Sequence, residues 1–238
     1  AIGLNALGAD TLGSRSTALG YATLQAQNFT TATDSYNVAV GYEAGGAITT
    51  GTLNTLIGGL AGDAITDGNS NVAVGHTALG QETRGDRSVA VGAYALQVAN
   101  STTNSDVYNT AVGYNAGGTL STGSNNTLIG GLAGDAITTG VNNIAIGKDA
   151  STAINVGNFN ISVGTGALAA DTKGNTTVAI GNSAFNDLNF TTATDSFSTA
   201  VGHNAGAVQT SGTGNTYIGS LAGDGTIDSG NNTAVGTR

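Results

Sequence analysis

This sequence predicts an all-β fold, a parallel β-solenoid or β-roll, and three observations predict it. A five-residue unit of the form NTAVG returns through the whole chain, usually every 17 residues and three times after 21. Its last residue is Gly in every copy, and the residue before that Gly is Val, Ile or Leu. The apolar residues, 39% of the chain, keep their phase within the repeat even though only 9% of residues are charged. A disordered chain has no reason to hold such a phase. A unit this short cannot bury an apolar face alone, so it must stack on its neighbours.

The Asn of NTAVG is taken as position 0. Repeats then start at Ser16, Asn37, Asn54, Asn71, Ser88, Asn109, Asn126, Asn143, Asn160, Thr177, Ser198, Asn215 and Asn232, with AIG at 1–3 as the end of an earlier one. Positions 1 and 3 are mostly β-branched and share one face of an extended segment. They are expected to point inward, so that Val112, Ile129 and Ile146 form consecutive rungs of a buried stack. Gly at position 4 ends the strand with a positive φ. A second short strand is expected around the Ala of position 7 and an apolar residue at position 11, such as Ile48 or Ile137. A polar turn of the type Thr-Thr-Gly-Xaa-Asn closes the coil. Helix is a poor alternative, because each of the many glycines would cost roughly 1 kcal/mol in one. Stacking in parallel at about 4.8 Å pairs the backbones without hairpins.

The 21-residue coils start at Ser16, Ser88 and Thr177, and their extra residues come late in the repeat. They should bulge from one corner. All three end in Asp, one residue, then an aromatic: Asp34 and Tyr36, Asp106 and Tyr108, Asp195 and Phe197. The segments 29–36, 101–108 and 190–197 also include Phe29 and Phe190, in a chain only 5% aromatic. These eight residues are the candidate receptor contacts. Exposed aromatics beside a carboxylate suit stacking on sugar rings and hydrogen bonding to hydroxyls. The competing reading is that each aromatic folds over the open corner as a plug.

Composition narrows the function classes. The net charge of −9 argues against nucleic acid, which needs a basic surface. No apolar run is long enough for a membrane-spanning helix. There is no Cys, so no disulfide framework. The sequence starts and stops inside a repeat, and 1–238 reads as one repetitive array cut from a longer fibre protein.

The pattern Asn-Thr-Ala-Val-Gly-Xaa-Xaa-Ala followed by Thr-Gly-Xaa-Asn, clearest at 109–125, resembles the repeats of phage tail-fibre and bacterial surface-fibre proteins. It is also similar to the head repeats of trimeric autotransporter adhesins, whose Ser-Val-Ala-Ile-Gly core looks like 88–92. The resemblance implies a left-handed β-roll assembled as a homotrimer. The adhesin heads use shorter coils than the 17 residues seen here. Self-association has a separate argument. Position 2 faces away from positions 1 and 3, yet it reads Ala, Leu, Ser or Tyr and never carries a charge. An uncharged outer ladder implies a packed contact.

Other chemistry is weak. His76 and His203 both lie at position 5 but seven coils apart, too far for one site, and an exposed turn residue is the simpler reading. Asp63, Asp135 and Asp224 hint at a calcium repeat, but the period is wrong and the carboxylates do not cluster. Thr at position 12 favours corner hydrogen bonds over an ice-binding array, and Asn at position 0 suits a stacked amide ladder. No nucleophile, base and acid come together, so no enzyme, cofactor or metal is expected. The sequence points to a structural fibre, a phage tail fibre or surface-appendage shaft, located on the virion or the cell surface. Its expected partners are copies of itself and a host receptor or cell-surface glycan, with no nucleic acid and no membrane insertion. An adhesin head is the alternative, and an ice-binding solenoid or a fibre-borne glycanase ranks lower.

Overall fold

A computed structural model describes residues 1–238 apart from Asn104 and Thr226. The chain divides into two compact units, Ala1–Thr122 and Gly123–Arg238. Each is a parallel β-solenoid, with about thirteen turns in all and no helix among the described residues. In the first unit the strands Thr17–Leu19, Val38–Val40, Thr55–Ile57, Val72–Val74, Val89–Val91 and Thr110–Val112 pair in sequence order. In the second, Thr127–Ile129, Ile144–Ile146, Ile161–Val163, Val178–Ile180, Thr199–Val201, Thr216–Ile218 and Thr233–Val235 do the same. Register is kept position for position: Ile129 lies opposite Ile146. It survives the long coils, where Val91 lies opposite Val112.

The strand expected before the Gly of position 4 is present at positions 1–3. Gly at position 4 follows it with a positive φ, +134° at Gly130. A Cβ there would sit 2.5 Å from the carbonyl oxygen of Gly147 in the next coil. Only Gly lets adjacent coils approach this closely.

Among the described residues the second strand is absent. Positions 5–10 form consecutive turns, with bonds such as Gly46 N–H to Glu43 O and Ile48 N–H to Gly45 O. Positions 6 and 8 sit in the left-handed region, as Glu43 and Gly45 show at +52° and +60°. The turns have a packing consequence. Ala78 and Leu79, at positions 7 and 8, are both fully buried. A strand alternates its side chains and would have sent one of them outward.

The inward face also differs from expectation. Position 2 is the buried one: Ala39, Leu56, Ala73, Ala111, Leu128, Ala145 and Tyr217 are all 0% exposed. Positions 1 and 3 face outward, with Val112 at 36%, Ile129 at 38% and Ile218 at 43%. The reason is volume. The interior is filled by positions 2, 8 and 11, and these trade size. Where position 2 is Leu56 or Leu128, position 8 is Gly62 or Gly134, and a Cβ on either Gly would meet that Leu at 2.8 or 2.7 Å. Where position 8 is Leu24, Leu79 or Phe185, position 2 is Ala. Phe185 and Tyr217 reach into the space left by Gly206 between them, their rings edge to face at 5.9 Å. With positions 2, 7, 8 and 11 already filling the coil, the β-branched residues of positions 1 and 3 mark only a pleated surface.

Polar ladders close the corners. Asn54 donates through Nδ2 to Gly68 O, 2.9 Å, and its Oδ1 accepts the N–H of Asn71 in the next coil, 2.9 Å. The same pair of bonds repeats at Asn143, which donates to Gly157 O and accepts from the N–H of Asn160. Thr66 and Thr138 spend their hydroxyls on carbonyls of the next coil, Thr83 O and Asn155 O. This matches the expected amide ladder and the corner role for Thr.

Candidate functional site

The long coils are prepared one coil earlier. Position 11, most often Ile or Leu and otherwise the uncharged Gln27, Ala99, Gln209 and Thr226, is Asp10, Glu82 or Asp171 in the coil preceding each insertion, within Asp-Thr-Leu-Gly, Glu-Thr-Arg-Gly and Asp-Thr-Lys-Gly. Glu82 Oε1 accepts the N–H of Gly85 at 2.8 Å and of Ser101, in the next coil, at 2.9 Å. Asp171 Oδ1 accepts from Gly174 at 3.0 Å and from Phe190 at 3.1 Å. One buried carboxylate thus ties its own corner to the start of the inserted loop. The loop returns to the solenoid through a two-residue parallel pair, Gly174–Asn175 with Thr194–Asp195, and likewise at the other two coils. The sequence reading missed these carboxylates. An acid confined to a core position, only in coils that precede an insertion, was the available signal.

The structure separates the eight candidate contacts. Phe29 and Phe190 are buried, 6% and 5% exposed, as the plug reading requires. Ser101 takes the same place in the middle long coil. Part of that segment, Asn104, lies outside the described residues. Tyr36, Tyr108 and Phe197 are exposed, Phe197 to 69%. Their carboxylates, Asp34, Asp106 and Asp195, are exposed as well.

Two of the three corners carry a built charge cluster. Arg15 pairs with Asp34 at 3.2 Å, its guanidinium 5.4 Å from the Tyr36 ring centroid. Arg87 pairs with Asp106 and lies 5.7 Å from the Tyr108 ring, whose hydroxyl donates to Asp106 Oδ2 at 2.9 Å. At the third corner Asn175 donates to Asp195 at 3.2 Å, and Phe197 has Thr176 where the others have Arg.

These aromatics occupy the residue just before position 0, which is left-handed throughout each unit: +51° at Tyr36, +48° at Tyr108, +47° at Phe197. Other coils fill it with Asn125, Asn142, Asn231 or Gly214, residues suited to that conformation. Others again use Leu53 and Phe159, which are exposed at 55% and 57%. A bulky residue costs about 1–2 kcal/mol there. Since exposed side chains repay little of that by burial, the fold alone does not account for them.

His76 stands among aromatics, edge to face with Tyr94 at 5.5 Å, and Tyr94 with Tyr114 at 5.9 Å. Among the described residues no group of three or more His, Cys, Asp or Glu could hold a metal. Among the same residues no helix is long and apolar enough to cross a membrane. Compared with protein-family models, with curated proteins and with solved structures, the chain gives no match in any of the three.

Proposed function

We propose that this chain is the repetitive part of a virion or cell-surface fibre, that it self-associates through the face formed by positions 1 and 3, and that its exposed corners contact a host receptor or glycan. The observation that carries the reading is that face. In each unit it is a continuous ladder of Val, Ile and Thr, with Leu19 in the first, at coil spacing with no charged residue, half-open to solvent in the single chain. Exposed aliphatic area of that extent marks an interaction surface. A second copy is the occupant we assign, because its own ladder repeats at the same coil spacing, so the rungs of neighbouring copies can pack in step along the face. Three copies about one axis is the arrangement that the repeat resemblance implies. Light scattering tests the reading. The chain should run at about three times its own mass, and Ile129→Asp, which puts a charge on the ladder, should lower that mass while the far-UV circular dichroism spectrum stays that of strand and turn. A parent chain that is monomeric at tens of micromolar ends the self-association reading.

The corner contacts are supported by the conformational cost at Tyr36, Tyr108 and Phe197. Replacing Tyr36 and Tyr108 by Asn, the residue that equivalent corners use, should raise stability by up to about 1 kcal/mol at each site. The loss of the Arg contacts partly offsets this gain. Attachment to host cells, or to purified surface glycan, should fall. Unchanged attachment together with a lower melting temperature would make the rings structural.

A further inference from the structure

The first unit has a second aromatic edge, at positions 5 and 6, just past the Gly corner. Tyr21 and Tyr42 stack with centroids 5.4 Å apart and planes 8° apart, both about half exposed. The next rungs are Gly59 and then His76. Backbone bonds fix that order: Leu60 N–H to Tyr42 O, Thr77 N–H to Gly59 O, Tyr94 N–H to His76 O. One face of Tyr42 is therefore taken by Tyr21, and the other looks onto a rung without a side chain.

Gly59 is not demanded by the fold. Its φ is outside the positive range, and a Cβ there would meet only His76 Cδ2, at 3.7 Å. The same position elsewhere accepts Lys148, Thr165, Asn182 and His203. The missing side chain leaves a notch one rung high, with Tyr42 below, the Gly59 backbone as floor, and His76 above. His76 is held from behind by Tyr94 and bonded through Nδ1 to Thr77 Oγ1 at 2.9 Å.

The open face of Tyr42 selects the ligand. An exposed ring with one face stacked on Tyr21 and the other free suits a puckered ring whose axial C–H groups pack against it. Glu43, the residue after Tyr42 and only partly buried, supplies a carboxylate acceptor at the rim. This local negative charge disfavours acidic sugars.

We infer that the Tyr42–Gly59–His76 notch is a binding site for a neutral hexopyranose, stacked on Tyr42 with its hydroxyls bonded to Glu43. The site stands on its own geometry and does not depend on self-association, so Ile129→Asp should bind sugar as the parent does. Saturation-transfer NMR with methyl β-glucopyranoside, methyl β-galactopyranoside and methyl N-acetyl-β-glucosaminide, alongside N-acetylneuraminic acid, tests it. At least one neutral glycoside should receive saturation at its ring C–H protons, and the acidic sugar should not. Tyr42→Ala should raise the Kd about tenfold, the loss expected for one stacked ring. Gly59→Leu, which fills the notch without backbone strain, should abolish binding with an unchanged melting temperature. If Gly59→Leu melts early, Tyr42→Ala decides alone. The assignment is overturned if no neutral glycoside binds, if N-acetylneuraminic acid binds better, or if Tyr42→Ala or a stably folded Gly59→Leu binds like the parent.

Discussion

Leu128→Asp should unfold the coils around it, whereas Ile129→Asp, one residue away, should leave them folded. Leu128 is 0% exposed, and its Cδ atoms fill the space that Gly134 leaves open. Asp in its place removes the Leu packing and leaves a buried charge without a partner. The second term alone costs about 3–5 kcal/mol, and loss of a buried Leu adds about 2–5 kcal/mol. Together these approach the whole stability of a typical domain. Because each coil rests only on its neighbours, the damage should start locally and spread along the unit. Ile129 is 38% exposed, and in the single chain a carboxylate there stays hydrated. Its cost should be the β-propensity difference, about 1 kcal/mol or less. Far-UV circular dichroism at room temperature separates the two: lost spectrum for Leu128→Asp, retained spectrum for Ile129→Asp even where assembly is lost. The opposite order would mean that inside and outside have been exchanged.

That pair also shows what the repeat could and could not reveal. Coil length, the strand, the obligatory Gly of position 4 and the site of the insertions were legible, because each is a local backbone requirement repeated in the sequence. Which face is inside was not. In a strand both faces can be apolar, and periodicity of two assigns residues to faces without saying which face is wet. The deciding information was non-local: the exchange of bulk between Leu128 and Gly134, or between Phe185 and the Gly206 and Tyr217 that follow. Reading position 2 as outer made its Ala and Leu look like an interface; the uncharged exposed ladder is instead at positions 1 and 3. The turn segment was misread as a strand because Ala at position 7 and apolar residues at position 11 fit either, while consecutive burial at 7 and 8 fits only turns. At the candidate contacts, sequence gave all five aromatics one role. The structure divides them by place in the loop: Phe29 and Phe190 enter the corner, and Tyr36, Tyr108 and Phe197 leave it.

Asp171→Ala should loosen the third insertion and change how the second unit responds to pH. Asp171 is fully buried, and its Oδ1 alone accepts the N–H groups of Lys173, Gly174 and Phe190. Truncation leaves those donors without an acceptor, at roughly 1–3 kcal/mol for each one that stays dry. Release of the desolvated charge offsets part of this, so a net loss of about 2–3 kcal/mol is expected. Faster hydrogen exchange at the Gly174 and Phe190 amides should accompany it. Asp171→Ile makes the distinction sharper, since Ile137 and Ile154 hold the same position in coils without an insertion. It should restore core packing and still leave the Phe190 amide unprotected. The pH effect runs opposite to ordinary acid denaturation. Burial pushes the Asp171 carboxyl above its usual value, against the pull of the backbone N–H groups, and burial does the same at Asp63 and Asp135. A carboxyl with a raised pKa in the fold keeps its proton where the unfolded chain has lost it. Its contribution is then fully present below the unfolded pKa and is lost as pH rises through the folded one. Between the ordinary carboxylate range and the raised value, the second unit should therefore gain stability on acidification. Asp171→Ala should flatten that slope, leaving the share due to Asp135. A parent whose melting temperature falls steadily on acidification through that window, or an Asp171→Ala variant with unchanged amide protection, would show that the carboxylate neither holds the loop nor feels its burial.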